Sequence, residues 1–353
     1  MLLILLAILG LGPLHDLGYQ GQGVKVAIID AGFFRANDST VFDQTHIIET
    51  WDLIPDSLRS GEMFSDAHDT HGTSCLSTML YRSEQFTGTA PDADYYLIRT
   101  EEINRESYDE VERLMRAFDM ADSLDVDVIT VSLGYYTFDD SVHNFTHDSL
   151  DGMSMVSRKV TEIAGHNRLV CIAAANEAQK PWHKIALPSD AFDILAVGAV
   201  GADSIAASFS SFGPSADGRQ KPEVSALGRA TTIYLPNYQD STGVYVGRVG
   251  TGNGTSFATP EIAGMCACLR QALPNHSAAA IREAIIQSAH LYTTPDDQRG
   301  YGIPDAWQAY QSLIAMGVND NDNENENKKI LRNGQILIRR GGEDFALIGN
   351  RVH

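Results

Sequence analysis

Three side chains far apart in the chain have the chemical types that a serine nucleophile requires: a carboxylate at Asp30, an imidazole at His71 and a hydroxyl at Ser256. A serine hydroxyl is too weakly acidic to attack an amide unaided. An imidazole can take its proton, and a carboxylate can fix the imidazole's tautomer and orientation. Asp30 closes the β-branched run Val24 to Ile29, and in open α/β sheets functional groups gather beyond the carboxyl ends of strands. His71 opens a stretch of unusually small residues, Gly72-Thr73-Ser74-Cys75. A helix starting there, capped by Asp69 or Thr70, can approach neighbouring backbone closely and hold the ring in place. Ser256 follows Gly252-Asn253-Gly254, a turn that side chains would block, and precedes small residues suited to a buried helix. Pro260 is tolerable only near the start of that helix. Free N–H groups and the positive dipole end beside Ser256 would stabilise an oxyanion forming at its hydroxyl. Each motif alone also has a plainer reading: a loop-capping aspartate, a structural histidine, a helix-capping serine. Together they point to acyl transfer.

The elements that must position these groups follow from hydropathy. Besides Val24 to Ile29, short apolar runs occur at Tyr95 to Ile98, Val126 to Leu133, Leu169 to Ala175 and Ile194 to Val200. Continuous rather than alternating hydrophobicity suits strands covered on both faces, as in a parallel sheet. Between them, Glu106 to Leu124 carries Val111, Leu114, Met115, Phe118 and Ala121 at helical spacing, and a second helix is predicted over Gly152 to Gly165. The alternation predicts a layered α/β domain. This domain is expected to span residues 15–317, followed by an acidic, Asn-rich linker at 318–327 with nothing to bury. Residues 328–353 resume an alternating pattern that predicts a short β-type tail.

The chain has 353 residues and a net charge of −20, which argues against binding the phosphates of nucleic acid. No apolar run reaches the roughly 18 residues of a membrane-spanning helix. Met1 to Leu9 is wholly apolar but no Lys or Arg precedes it. Residues 1–14 therefore read either as the remnant of a secretion signal or as a first strand or helix of the domain. Cys75, Cys171, Cys266 and Cys268 form no C-x-x-C pair and read as free, buried thiols. No metal site is expected. Asp-rich loops such as Asp139-Asp140 could offer oxygen ligands to calcium, although no twelve-residue calcium loop is present. The other histidines stand mostly in polar, loop-like stretches and read as surface residues.

The chain order Asp30, His71, Ser256 is that of subtilisin, and differs from the chymotrypsin and α/β-hydrolase orders. The settings Ile29-Asp30-Ala31-Gly32, His71-Gly72-Thr73 and Gly254-Thr255-Ser256-Phe257-Ala258-Thr259-Pro260 resemble the three signatures of the subtilisin-like serine peptidases, over roughly residues 15 to 316. Ser132-Leu133-Gly134 resembles the family's substrate-binding edge. Ala173-Ala174-Ala175-Asn176 resembles the segment bearing the oxyanion-hole asparagine, which maps onto Asn176, with Ala174 and Ala175 beside the substrate. Phe209 to Pro214, Lys221 to Val224 and Gly300 to Ala306 resemble further segments of the catalytic domain.

The resemblance implies a three-layer sandwich with a mostly parallel central sheet. It also implies a secreted or cell-surface bacterial serine endopeptidase acting on polypeptides with no required cofactor. Structural calcium, common among relatives, stays open, as do the oligomeric state and the natural substrate. Broad specificity with an apolar leaning is expected. Glu177 would either attract a basic side chain at the pocket rim or be a solvated surface group. Ala175 and Ala178 depart from the family's usual glycines, and the added methyls would narrow the pocket or tilt Asn176. Only residues 1–14 precede the matching segment, which is too short for the folding propeptide of many secreted relatives and leaves the activation route open. The tail from Lys328 resembles a fragment of the β-module that directs some bacterial proteins to type IX secretion.

Two rival readings separate cleanly. A non-catalytic relative would keep the fold to bind peptides, but all three candidate residues are present. An α/β hydrolase for esters or lipids would need a Gly-x-Ser-x-Gly elbow, and Gly254 to Ala258 lacks the final glycine.

Overall fold

The computed structural model describes residues 4–55, 58, 61–102, 104–320, 328–332, 335–340 and 343–346. In chain order the first elements are α1 (Ile4–Ile8), α2 (Gly12–Asp16), β1 (Lys25–Asp30), β2 (Ile47–Asp52), α3 (His71–Leu80) and β3 (Asp94–Arg99). Then come α4 (Tyr108–Ser123), β4 (Val128–Val131), α5 (Met155–Gly165), β5 (Leu169–Ala173), β6 (Leu195–Val200) and β7 (Val224–Leu227). An antiparallel hairpin of β8 (Thr231–Leu235) and β9 (Arg248–Gly252) leads into α6 (Thr255–Ala272), α7 (Ala278–Gln287) and α8 (Ala306–Asp320).

Strands β1 to β7 form one sheet in the order β2-β3-β1-β4-β5-β6-β7, and every pairing in it is parallel. Parallel strands need crossovers, and the helices that supply them cover both faces. Successive residues of one strand therefore enter different cores. Val26 and Ile28 join the core under α3 and α6, while Ala27 and Ile29 join the core under α4 and α5. The same division holds for Cys171 against Val170 and Ile172, and for Leu195 and Val197 against Ala196. This two-sided burial is the physical reason for the continuous apolar runs. The three-layer parallel arrangement is the expected one.

Helix α6 is the central element of its layer and packs against β4, β5, β6 and β7. Close approach requires its small residues: a Cβ on Gly264 would stand 1.9 Å from Thr89 Oγ1. Helix α4 starts where Glu110 reaches back to accept from the Ser107 N–H at 3.1 Å.

The described part of the N-terminal segment packs on the domain. Leu9, Leu11 and Leu14 are fully buried in the α3–α6 core, and Leu9 C=O accepts from the Ala306 N–H at 2.8 Å. At the other end α8 runs from Ala306 to Asp320. The expected linker beyond Asp320 lies outside the described residues. In the tail, β10 (Lys328–Arg332), β11 (Gln335–Arg340) and β12 (Glu343–Ala346) pair antiparallel into a three-stranded sheet. No described helix is long and apolar enough to cross a membrane.

Candidate active site

The carboxyl ends of β1, β4 and β5 carry the candidate residues to one edge of the sheet. Asp30 is the last residue of β1 and fully buried. Its Oδ1 accepts from the Ala31 N–H at 2.7 Å and lies 2.6 Å from His71 Nδ1. His71 is the first residue of α3. Gly72 lets that helix come so close to β1. A Cβ there would stand 2.6 Å from Gly32 O and 2.8 Å from the Phe33 ring. Gly32 in turn lies over Asp69, where a Cβ would fall 1.8 Å from the carboxyl carbon.

Burial on its Asp30 side opposes charging of the His71 imidazole. The Asp30 charge and hydrogen bond, with Cys75 beside them, outweigh it, and the net effect raises the pKa well above 6.5. With Nδ1 committed to Asp30, Nε2 is the nitrogen left for chemistry. The side chain keeps 37% of its surface exposed.

Ser256 is the second residue of α6 and buried. Its Oγ donates to Ser132 O over a long 3.5 Å. Proline at 260 has no N–H for the helical bond to Ser256 C=O. That carbonyl instead accepts from Ser132 Oγ at 2.9 Å and from Cys75 Sγ at 3.3 Å. Cys75 stands one turn after His71 on α3, with Sγ 3.9 Å from His71 Nδ1. Burial raises its thiol pKa. The cysteine therefore touches both candidate residues, which its reading as a free, buried thiol did not include. The available signal was the i, i+4 spacing from His71, which puts both on one helix face. The Phe257 ring lies 6.1 Å from the imidazole and closes the same side.

Asn176 lies just beyond β5. Its Oδ1 accepts from Thr255 N at 2.9 Å and from Thr255 Oγ1 at 3.2 Å, which leaves the amide Nδ2 as the outward donor. A Cβ on Gly254 would stand 3.6 Å from Ser256 N and 3.8 Å from Asn176 Nδ2. These two donors thus border one small space beside Ser256. Ala175 takes φ +87°, a left-handed conformation that costs a residue with a Cβ about 1 kcal/mol and that glycine adopts freely. The backbone before Asn176 keeps the conformation a glycine would take, and Asn176 is held on Thr255 despite the methyl.

The other expected residues divide. Gly134 is exposed and Leu133 half-buried, and their backbone groups have no hydrogen-bond partner among the described residues. Ser132 is buried and bound to Ser256. Ala174 is fully buried, with its N–H on Val197 O and its C=O on the Ala186 N–H, so it backs the wall and presents no free backbone. Glu177 fits neither expectation. It is buried, with Oε2 accepting from Tyr136 OH at 2.6 Å and Oε1 from Lys180 Nζ at 2.9 Å. Asp139 and Asp140 are engaged by backbone, accepting from Glu106 N and Val142 N. Among the described residues, Asp30, His71 and Cys75 bring ligand atoms within 4.8 Å of one another. The first two are already paired, so a metal there would have to break that bond. The four cysteines are free and buried, as expected. His15 is half-buried in α2, its Nε2 2.9 Å from Thr89 O, and is not the surface residue expected.

A parallel α/β sheet that presents a carboxylate-held imidazole beside a serine at a helix head has the make-up of a serine hydrolase. The subtilase family model matches residues 21–303, and the chain belongs to that family. It is 28% identical over 287 residues to Subtilisin NAT of Bacillus subtilis subsp. natto, covering 78% of this chain and 63% of that protein. It is also 28% identical over 324 residues to Subtilisin-like protease SBT6.1 of Arabidopsis thaliana, covering 86% of this chain and 27% of that one. The chain thus spans less than two thirds of these relatives. The same fold occurs in MycP1 with its N-terminal propeptide removed, at TM-score 0.64 and 20% identity, covering 87% of this chain and 96% of that one. It also occurs in the PatG macrocyclase in complex with peptide, at TM-score 0.64 and 17% identity, covering 86% and 96%.

Proposed function

We propose that this chain is a serine endopeptidase that hydrolyses peptide bonds in polypeptides through an acyl-enzyme intermediate. The observation that carries this reading is the 2.6 Å pair of Asp30 and His71, set beside the head of the helix that bears Ser256.

In the attack the Ser256 hydroxyl leaves its long contact with Ser132 O and gives its proton to His71 Nε2 as Oγ bonds to the scissile carbonyl carbon. Asp30 holds the proton on Nδ1 and stabilises the imidazolium without taking the proton. The carbonyl oxygen, now negative, enters the space beside Gly254 and accepts from Ser256 N–H and Asn176 Nδ2. The imidazolium protonates the leaving amine, and a water molecule then releases the acyl group by the same steps in reverse. No cofactor is required. The acyl part of the substrate pairs as an added strand with the free backbone of Leu133 and Gly134, beside Ala175, a mode that reads main chain more than side chain. Ser132 serves by holding Ser256. We take the setting to be extracellular, secreted or at the cell surface, as the family resemblance implies.

A serine-directed phosphonate should label the wild-type chain at Ser256 and fail to label Ser256→Ala, which should also lose nearly all peptide hydrolysis. Hydrolysis surviving in Ser256→Ala would overturn the proposal.

A further inference from the structure

The hairpin β8–β9 carries an arm, residues 236–247, that the chemistry above does not use. Tyr238, Val244, Tyr245 and Val246 are exposed there, four of the thirteen exposed large hydrophobic residues among those described, within nine positions. The remainder are scattered, and clustering of exposed apolar groups marks an interaction surface. The arm is also stiff. Asp240 Oδ1 accepts from the N–H groups of Thr242 and Val244 at 2.8 and 3.1 Å, and Val246 N donates to Tyr238 O at 2.9 Å. Arg35 Nη1 donates to Tyr245 O at 2.7 Å, and the Phe34 ring meets the Tyr245 ring edge-on at 5.2 Å. The patch is therefore formed in advance, so that binding to it orders little.

Its position follows from the elements around the site. Asn176 lies beyond β5, Ser132 beyond β4, and Asp30 with His71 at β1, in sheet order. The hairpin packs on α3, the helix that His71 opens, where Tyr234 of β8 hydrogen-bonds Ser74 and Ser77, both at 2.9 Å. Strand β9 runs straight into the turn before Ser256, and Phe257 fills the space between Ile233, Gly252 and the imidazole. A peptide whose acyl half lies along Leu133–Gly134 releases its amine half past His71, the group that protonates it. That half leaves the site toward the hairpin.

We propose that this hairpin is a substrate arm whose exposed tip binds apolar side chains on the leaving-group side of the scissile bond. The inference deepens the peptidase reading and rests on it. The tip's carboxylate, Asp240, is used by its own turn, and Arg35 and Arg248 are held on Tyr245 O and on the Tyr238 ring. The charged groups of the tip are thus engaged within the arm, and the side chains left uncommitted, Val244 and Val246 beside the Tyr245 ring, are aliphatic or aromatic.

The test compares kcat/KM for internally quenched peptides that share one acyl half and carry either Leu-Phe or Ser-Gly after the bond. A matching p-nitroanilide, which has no residue there, is the reference. The wild-type chain should favour Leu-Phe by about tenfold or more, the discrimination that a single methylene commands when it fills an apolar pocket. Val244→Ser combined with Val246→Ser, two exposed positions, should erase most of that ratio. Equal ratios in both proteins, or no preference in the wild type, would overturn the arm while anilide hydrolysis still upheld the peptidase reading. Failure to cleave any of the three, with no phosphonate labelling, would remove both.

Discussion

A methyl group on Gly254 would meet nothing closer than 3.6 Å, but its neighbours would be Ser256 N and Asn176 Nδ2. The backbone there takes φ 159°, a conformation that a side chain rarely adopts, so alanine adds about 1–3 kcal/mol of strain at the turn. Gly254→Ala should keep the wild-type circular dichroism spectrum with a lowered thermal midpoint. Its kcat should nevertheless fall by about 10²–10³-fold, the worth of one oxyanion donor in subtilisin, since the methyl occupies the space the oxyanion needs. The His71 shift predicts the pH dependence. Its imidazolium is held to a pKa well above 6.5, and only the neutral ring can accept the Ser256 proton. The rate should therefore rise with pH through a midpoint above 6.5. Asp30→Asn removes the charge that raises it, so the midpoint should fall, with the maximal rate reduced about 10⁴-fold. A pH–kcat/KM profile of both proteins checks this, and an unmoved midpoint would count against the pairing. Asp30, His71, Ser256 and Asn176 were legible because each lies in a short local motif. For Cys75 only the i, i+4 spacing from His71 was legible, since its bond to Ser256 arises only when α3 meets α6, 181 residues away along the chain.

At the scale of elements, the head of α6 depends on help from β4. Pro260 leaves Ser256 C=O without its helical donor, and Ser132 Oγ supplies one. Ser132→Ala should destabilise the domain by about 1 kcal/mol, the usual net worth of a buried hydrogen bond, since Cys75 Sγ stays on the same carbonyl as a weak donor. It should also lower kcat with little change in KM, because the nucleophile's turn loosens while the free backbone of Leu133 and Gly134 remains. Chemical denaturation and steady-state kinetics on one preparation would separate the two effects. Five strands of the central sheet could be read from their apolar runs, because burial on both faces leaves no polar alternation. Strand β2, with Glu49 and Asp52, is an edge strand exposed along much of its length. Strand β9, Arg-Val-Gly-Thr-Gly, carries two glycines that weaken any strand signal. Pairing makes both of them strands, β2 with β3 and β9 with β8, and hydropathy cannot report that.

For the molecule as a whole, burial raises several acids well above the ordinary carboxylate range. Burial, only partly offset by Arg99, raises Asp69 to about 7. Burial likewise raises Glu101 to about 7 and Glu110 to about 8, and lifts Glu261 well above 4.5. Each binds its proton more tightly folded than unfolded, so its contribution to stability is complete below the ordinary carboxylate range and is lost as pH rises through the folded value. The raised His71 adds to stability in the same sense. Opposing them, Asp38, Asp122 and Asp296 are lowered and lose their contribution only as pH falls below about 4. The melting temperature should therefore peak near pH 5 and decline toward pH 8, about the range over which activity rises. A melting series from pH 4 to 9 checks this, and a flat or rising curve between 5 and 8 would contradict it.

Sixteen of the eighteen residues of α6 are buried, from Thr255 to Arg270, almost the helix's far end. There is no way to loosen Ser256 by fraying a surface segment, since the helix can let go only when the layers around the sheet come apart. On heating, the chain should not pass through a stage in which it is folded but inert. Loss of turnover and collapse of the fold should trace a single curve.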